Sequence, residues 1–300
     1  MANKNWVTVT VAAVVLVIIF LFSPDCGLFV PNPAENEVNV CLHLSDYGCS
    51  TISCLKELGV GWVRTDWVLT ADDSIGDYSQ RLEDNNINLL AIVNMSKFGS
   101  EISLEDWNKT VIDIVDSVGF NNTDAVEICN EPNHANYTIP VETYYEMLKS
   151  AYAIIKNCSD IPVVFAGVSP NCGDYKSYLN TVFASGDAED YFDYIGIHFY
   201  YDNMADNLNV LQFVDDLTVK PIWVTETGKP SDKENYNETF QAEYLQSVCS
   251  TFNPLVNKIF IYELKDNPNL SDNKEAYFGL LTIDGKQKQA YQVVCDINAK

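Results

Sequence analysis

Two short stretches of this chain have residues that can do chemistry together. In Ala125-Val126-Glu127-Ile128-Cys129-Asn130-Glu131-Pro132-Asn133 an apolar run stops at an amide and a carboxylate. In Ile222-Trp223-Val224-Thr225-Glu226-Thr227-Gly228 a second apolar run stops at another carboxylate. Both runs read as strands. Proline lacks a backbone donor and does not sit in central strands, so the first is expected to end at Glu131. Two glutamates that each close a strand suit the cleavage of a glycosidic bond. That reaction needs one carboxyl group as acid/base and one as nucleophile or base.

Bringing two distant strand ends to one place is the task of the fold. Strands are expected at Val38–Leu44, Gly61–Trp67, Asn88–Asn94, the run ending at Glu131, Pro162–Val168, Tyr194–Tyr200, Pro221–Glu226 and Lys258–Glu263. Helices are expected at Ile52–Leu58, Tyr78–Asn85, Leu104–Val118, Val141–Lys156, Tyr175–Ala184, Met204–Leu217, Glu238–Thr251 and Gln287–Asn298. Near-continuous apolar strands that alternate with helices describe a parallel sheet buried on both faces. Eight such units in about 260 residues match one α/β domain, a (β/α)8 TIM barrel. A doubly wound sheet would need a glycine-rich turn after its first strand, and Leu44-Ser45-Asp46-Tyr47-Gly48 is not one.

In such a barrel all strand carboxyl ends open on one face, where function collects. Reading those ends yields Arg64, Asn130, Glu131, His198, Tyr200, Glu226 and Tyr262. A nucleophile must stay ionised beside an acid that stays protonated, so their surroundings must separate the two pKa values. Arg64 beside Glu226 would favour the charged carboxylate, and Tyr200 can donate a hydrogen bond to it. Glu127 faces the same way as Glu131 and reads as a paired carboxylate inside the barrel. His198 is expected to position its neighbours. Trp67, at the exit of the second strand, is the best sugar platform among the tryptophans, and Trp62, Trp107 and Trp223 read mainly as core. Asn133 and His134 are expected to line the cleft.

The motifs Asn130-Glu131-Pro132-Asn133 and Trp223-Val224-Thr225-Glu226-Thr227-Gly228 resemble the catalytic strands of clan A glycoside hydrolases, the retaining (β/α)8 group, with similarity to families 5 and 39. The resemblance runs from about Asn36 to the C-terminus. It extends to Arg64, to His198-Phe199-Tyr200, and to Phe260–Asp266 followed by Phe278-Gly279-Leu280-Leu281. It implies that Glu131 is the acid/base, Glu226 the nucleophile and Asn130 the ligand of the sugar 2-hydroxyl. It also implies an aromatic platform at Tyr262, where the clan often has Trp. Cys129 is a second departure, since many members carry Trp before the Asn-Glu pair; both departures concern subsite shape. The implied activity is hydrolysis of a β-linked glycan by double displacement, without metal or cofactor. A transglycosidase shares the first step, and a glycan-binding barrel without turnover is the non-enzymatic alternative.

Composition sets wider bounds. Three hundred residues, 47% hydrophobic, can bury the core of one barrel plus a short extra segment. A net charge of -24 argues against nucleic acid as a partner, disfavours polyanionic substrates and reads as a solvated acidic surface. Lys4 precedes an uncharged run, Val7–Phe22, long enough for about 24 Å of helix. Residues 1–30 are therefore expected to form a membrane anchor or signal segment. Pro31-Asn32-Pro33 then leads into a barrel at 31–300, on the extracellular face or secreted. Nine cysteines fit an oxidising compartment. Cys249 with Cys295 is the expected pair, Cys49 with Cys54 and Cys158 with Cys172 are further candidates, and Cys41 and Cys129 read as core thiols. The absence of a CxxC motif and three dispersed histidines argue against a metal. N-x-S/T triplets at Asn94, Asn108, Asn121, Asn136, Asn157, Asn237 and Asn269 permit glycosylation.

Overall fold

Short apolar runs build the centre of the molecule. They form β1 Val38–Leu42, β2 Trp62–Trp67, β3 Asn88–Val93, β4 Ala125–Ile128, β5 Val163–Val168, β6 Tyr194–Phe199, β7 Ile222–Thr227 and β8 Lys258–Ile261. The computed structural model describes residues 37–300 apart from 44–48, 68–73, 95–102, 119–121, 137, 233–234 and 268–273. Adjacent strands pair in parallel and β8 pairs with β1, closing a barrel in chain order. Each strand leads into a helix: α1 Cys49–Leu58, α2 Ser74–Glu83, α3 Leu104–Val118, α4 Val141–Cys158, α5 Tyr175–Phe183, α6 Met204–Asp215, α7 Glu238–Phe252 and α8 Gln289–Asn298. The expected fold class holds, with element ends shifted by a few residues.

Every residue of β1, β4, β5 and β7 is buried. Both faces of the sheet are covered, which is why these strands read as continuous apolar runs and do not alternate. Outside, the helices press apolar stripes on the strands; α4 does so through Tyr144, Met147, Leu148, Ala151 and Ile155. Inside, Cys41, Leu90, Ala125, Val164, Trp223 and Phe260 form a separate cluster. The Trp223 ring lies 5.5 Å from Trp62 and 4.5 Å from Tyr194, with the Lys258 ammonium 4.4 Å over Trp62. Trp62 and Trp223 therefore plug the barrel. Trp107 is fully buried outside it and donates its indole N–H to the Met147 carbonyl at 2.9 Å.

The seam between β1 and the end of the chain is latched by Asn298 on α8. Its Oδ1 accepts from the Val38 N–H at 2.9 Å, and its Nδ2 donates to the carbonyls of Val38 at 2.8 Å and Leu58 at 2.9 Å.

Several expectations need correction. β4 ends at Ile128, not at Glu131. Cys129 and Glu131 adopt φ of 66° and 45°, which turns the chain out of the ladder before the proline is reached. None of the expected disulfides forms: Cys41, Cys54, Cys129, Cys158, Cys172, Cys249 and Cys295 are free thiols. Cys249 faces the core, whereas the Cys295 thiol turns to the Glu57 carbonyl of α1 at 3.6 Å. Cys158 bends back on the Ile154 and Ile155 carbonyls of its own helix, each at 3.2 Å. Adjacent helices do not by themselves point two thiols at each other. Asn237 of the glycosylation triplets is committed to capping α7 through the Phe240 N–H at 3.0 Å, and Asn121 and Asn269 lie outside the described residues. The chain divides between Val30 and Pro31. The expected N-terminal apolar helix lies outside the described residues, among which no helix is long and apolar enough to cross a membrane.

Candidate active site

The strand ends converge because the ladder is irregular there. Register shifts occur between Phe165 and Val168 on β5, between Ile197 and His198 on β6, and between Val224 and Thr227 on β7. Such irregularities re-aim side chains near a barrel rim. The shift on β6 sets His198 directly beside Glu226 of β7.

Arg64 of β2 points into the barrel and is 2% exposed. Its Nε donates to Glu127 Oε2 at 2.6 Å, Nη1 to Glu226 Oε1 at 2.6 Å and Nη2 to Asn130 Oδ1 at 2.8 Å. Glu127, fully buried, takes its other hydrogen bond from the Gly167 N–H at 2.7 Å. A buried guanidinium is tolerable only with this degree of pairing. Burial pulls the Arg64 pKa down, but Glu127 and Glu226 outweigh it and the net shift is upward, so Arg64 stays charged.

The second oxygen of Glu226, Oε2, accepts from the Tyr200 hydroxyl at 2.6 Å. Burial and then the charge of Glu226 push the Tyr200 phenol well up, so it remains a donor. His198 stands between the two glutamates, its Nδ1 2.8 Å from Glu131 Oε1 and 3.6 Å from Glu226 Oε2. Burial favours neutral His198, yet the carboxylates of Glu226 and Glu131 overcome it and raise its pKa above 6.5. Burial alone would raise Glu131; the hydrogen bond and charge of His198 outweigh it and hold the carboxyl below 4.5. The proton of this pair therefore rests on the imidazole, with Nδ1–H donating to Glu131. One ligand-type atom from each of Glu131, His198 and Glu226 lies within 4.8 Å of the others. That spacing could also serve a cation, but both Glu226 oxygens already accept hydrogen bonds and His198 Nδ1 faces Glu131.

These groups floor a cleft of about 650 Å³. Of the residues expected from sequence, Arg64, Asn130, Glu131, Tyr200, Glu226 and Tyr262 line it, and so does His134. His198 lies beneath, fully buried. Asn133 instead exchanges two hydrogen bonds with the Ser169 backbone, at 2.8 and 2.9 Å, and staples the loop after β4 to β5. Trp67 closes β2, but its side chain lies outside the described residues.

Other lining residues were not expected. Tyr262 OH lies 3.2 Å from His43 Nε2, and the same nitrogen is 2.6 Å from Glu263 Oε2. Lys229 donates to the Tyr200 carbonyl at 2.5 Å and pairs with Asp202 at 2.5 Å, while Tyr236 donates to Asp202 at 2.8 Å. His43 stands just past β1, so a scan of strand ends that included β1 would reach it. Lys229 has no local signal, since its partners come from the loop after β6.

The glycosyl hydrolase catalytic core family matches residues 56–286. No curated protein sequence matches the chain. Solved structures share its fold. A family 39 glycoside hydrolase from Bacteroides cellulosilyticus WH2 superposes with TM-score 0.68 at 19% identity, over 90% of this chain and 64% of that one. This chain thus spans less than two thirds of that enzyme. A family 128 endo-β-1,3-glucanase from Amycolatopsis mediterranei, in complex with laminarihexaose, gives TM-score 0.61 at 16% identity over 87% and 99% of the two chains. A family 1 β-glucosidase from Thermotoga maritima gives 0.62 at 12% identity over 83% and 85%. Because the family match covers most of the sequence, from α1 to the loop before α8, this chain belongs to the glycosyl hydrolase catalytic core family and is a glycosidase.

Proposed function

We propose that the protein cleaves a β-linked glycan with retention of configuration, with Glu226 as nucleophile and Glu131 as acid/base. A Glu226 oxygen attacks the anomeric carbon as the bond to the glycosidic oxygen breaks. The leaving oxygen takes a proton from Glu131, which draws on the proton held by His198 Nδ1. Water then attacks the glycosyl-enzyme, its proton returns to the Glu131–His198 pair, and Glu226 leaves as carboxylate. Arg64 and Tyr200 each donate to one oxygen of Glu226 and hold it oriented. Arg64 also occupies the oxygen of Asn130, which leaves the Asn130 NH2 to donate to a sugar hydroxyl. Tyr262 offers its ring to the sugar face.

The observation that carries this reading is the approach of Glu131 and Glu226, one carboxylate oxygen of each lying within 4.8 Å of the other. Retention needs carboxyl groups about 5–5.5 Å apart, whereas inversion needs roughly 6.5–9.5 Å to admit a water. The test is an activated 2-fluoro-β-glycoside. Peptide mapping is expected to find the sugar esterified to Glu226, and NMR of a turned-over substrate is expected to find the β-anomer first. Turnover without that label, or an α-anomer first, would end the proposal. Aryl β-glycosides and laminarioligosaccharides form the first substrate panel, the latter because the Amycolatopsis enzyme binds one.

A further inference from the structure

We infer that Gly167, on β5, is the positioning residue that sets the acid/base half of the site against the nucleophile half. The inference rests on the roles proposed for Glu131 and Glu226. Three independent contacts meet at this one residue. Its N–H donates to Glu127 Oε1 at 2.7 Å, and Glu127 in turn carries Arg64, which carries Glu226 and Asn130. Its carbonyl accepts from the Glu131 N–H at 3.0 Å, fixing the peptide of the acid/base in its left-handed turn. Its missing side chain is filled by His198. A Cβ on Gly167 would stand 2.2 Å from His198 Nε2, 2.5 Å from Cδ2 and 2.5 Å from Thr225 Oγ1.

The third contact makes the residue specific. His198 is tied at one edge only, through Nδ1 to Glu131. Its Nε2 is buried and has no hydrogen-bond partner among the described residues, and the same holds for Thr225 Oγ1. What holds that edge of the ring is packing against bare backbone. The groups facing the ring are Glu131 from the turn after β4, Glu226 from β7, Arg64 from β2 and Tyr200 from the end of β6. A methyl group on Gly167 forces the imidazole to tilt, and the tilt acts on Nδ1, where the proton is passed. The backbone at Gly167 can lie this close to β6 because position 196 is also glycine: a Cβ there would meet the Gly167 nitrogen at 2.8 Å.

The test compares the full chain with Gly167→Ala, His198→Ala and the double variant, alongside thermal unfolding. Gly167→Ala is expected to lower kcat about 100-fold with KM within about threefold, as for a misplacement near 1 Å. In the His198→Ala background the same change is expected to cost at least about tenfold less, because both contacts with the ring have gone and only the one with Thr225 Oγ1 remains. The double variant is relieved of the ring contacts and keeps the test usable if Gly167→Ala does not fold. The protein has three histidines, so imidazole NMR resolves His198 by its loss in His198→Ala. Its titration is expected to fall toward the ordinary range in Gly167→Ala. A wild-type kcat in Gly167→Ala, or an undiminished penalty in the His198→Ala background, would overturn the inference. An NMR shift without turnover by the parent protein would uphold the placement and sink the proposed activity instead.

Discussion

Arg64 holds acceptors from three places while sealed inside the barrel, and Glu226 owes its orientation to that contact. Glu226→Ala should reduce turnover to background, and Glu131→Ala should lower kcat by about 10²–10⁴-fold, while far-UV and thermal unfolding stay near the parent's. Near-parental rates in either would remove the mechanism. The Glu131–His198 pair also fixes the sign of the pH dependence. The His198 pKa is raised from 6.5 and that of Glu131 lowered from 4.5. The acid proton is therefore present below the raised imidazole value and lost as pH climbs through it. In His198→Ala a carboxyl must carry that proton alone, so the basic limb of kcat/KM should move to lower pH. The same shifts govern stability. His198 stabilises below 6.5 and loses this as pH rises through its folded value; Glu131 stabilises above 4.5 and loses this as pH falls. The Tm deficit of His198→Ala should then be widest between these two values, and a pH-independent deficit would contradict the pairing.

At the scale of elements, the loop between β8 and α8 shows how a cleft wall is held. Lys288, 5% exposed at the start of α8, donates to Asp266 Oδ1 at 2.6 Å, Ser231 Oγ at 2.9 Å and the Tyr277 carbonyl at 3.2 Å. The next residue, Phe278, packs edge-on to Tyr262 at 5.5 Å and Tyr200 at 6.0 Å. Lys288→Met removes the cation from the buried Asp266 carboxyl, which keeps the Gly279 N–H at 2.9 Å, and should cost about 3 kcal/mol in urea unfolding. It should also raise KM, because the wall that backs Tyr262 loosens; an unchanged midpoint would show that the pair is dispensable. Elements of this kind were only partly legible in the sequence. The eight apolar runs announced the strands because a sheet covered on both faces needs no polar alternation. Arg64, Glu226 and Tyr200 were legible because a strand end in a barrel has one direction to face. The early end of β4 was not, since Cys129 and Glu131 are residue types that rarely take positive φ. Lys229 and Lys288 stayed hidden because a buried lysine is defined by partners elsewhere in the chain. Trp107 and Trp223 were read as core, and their burial agrees.

For the molecule as a whole, a ring of strands has no edge except where its first and last members meet. Asn298 covers the backbone of Val38, which is fully buried. Asn298→Ala should leave those polar groups without partners and cost about 1–3 kcal/mol. Hydrogen exchange at the Val38 amide should accelerate before exchange inside β5 or β6 does. Equal acceleration everywhere would mean that the seam is no weaker than the rest.

The latch carries a cost in time. Val38 and Asn298 are separated by 260 positions. A ribosome adding about 5–20 residues each second leaves on the order of ten to fifty seconds between them. Throughout that interval the nascent first strand lacks its last neighbour, and an unpaired strand edge is a template on which other unfinished chains can pair.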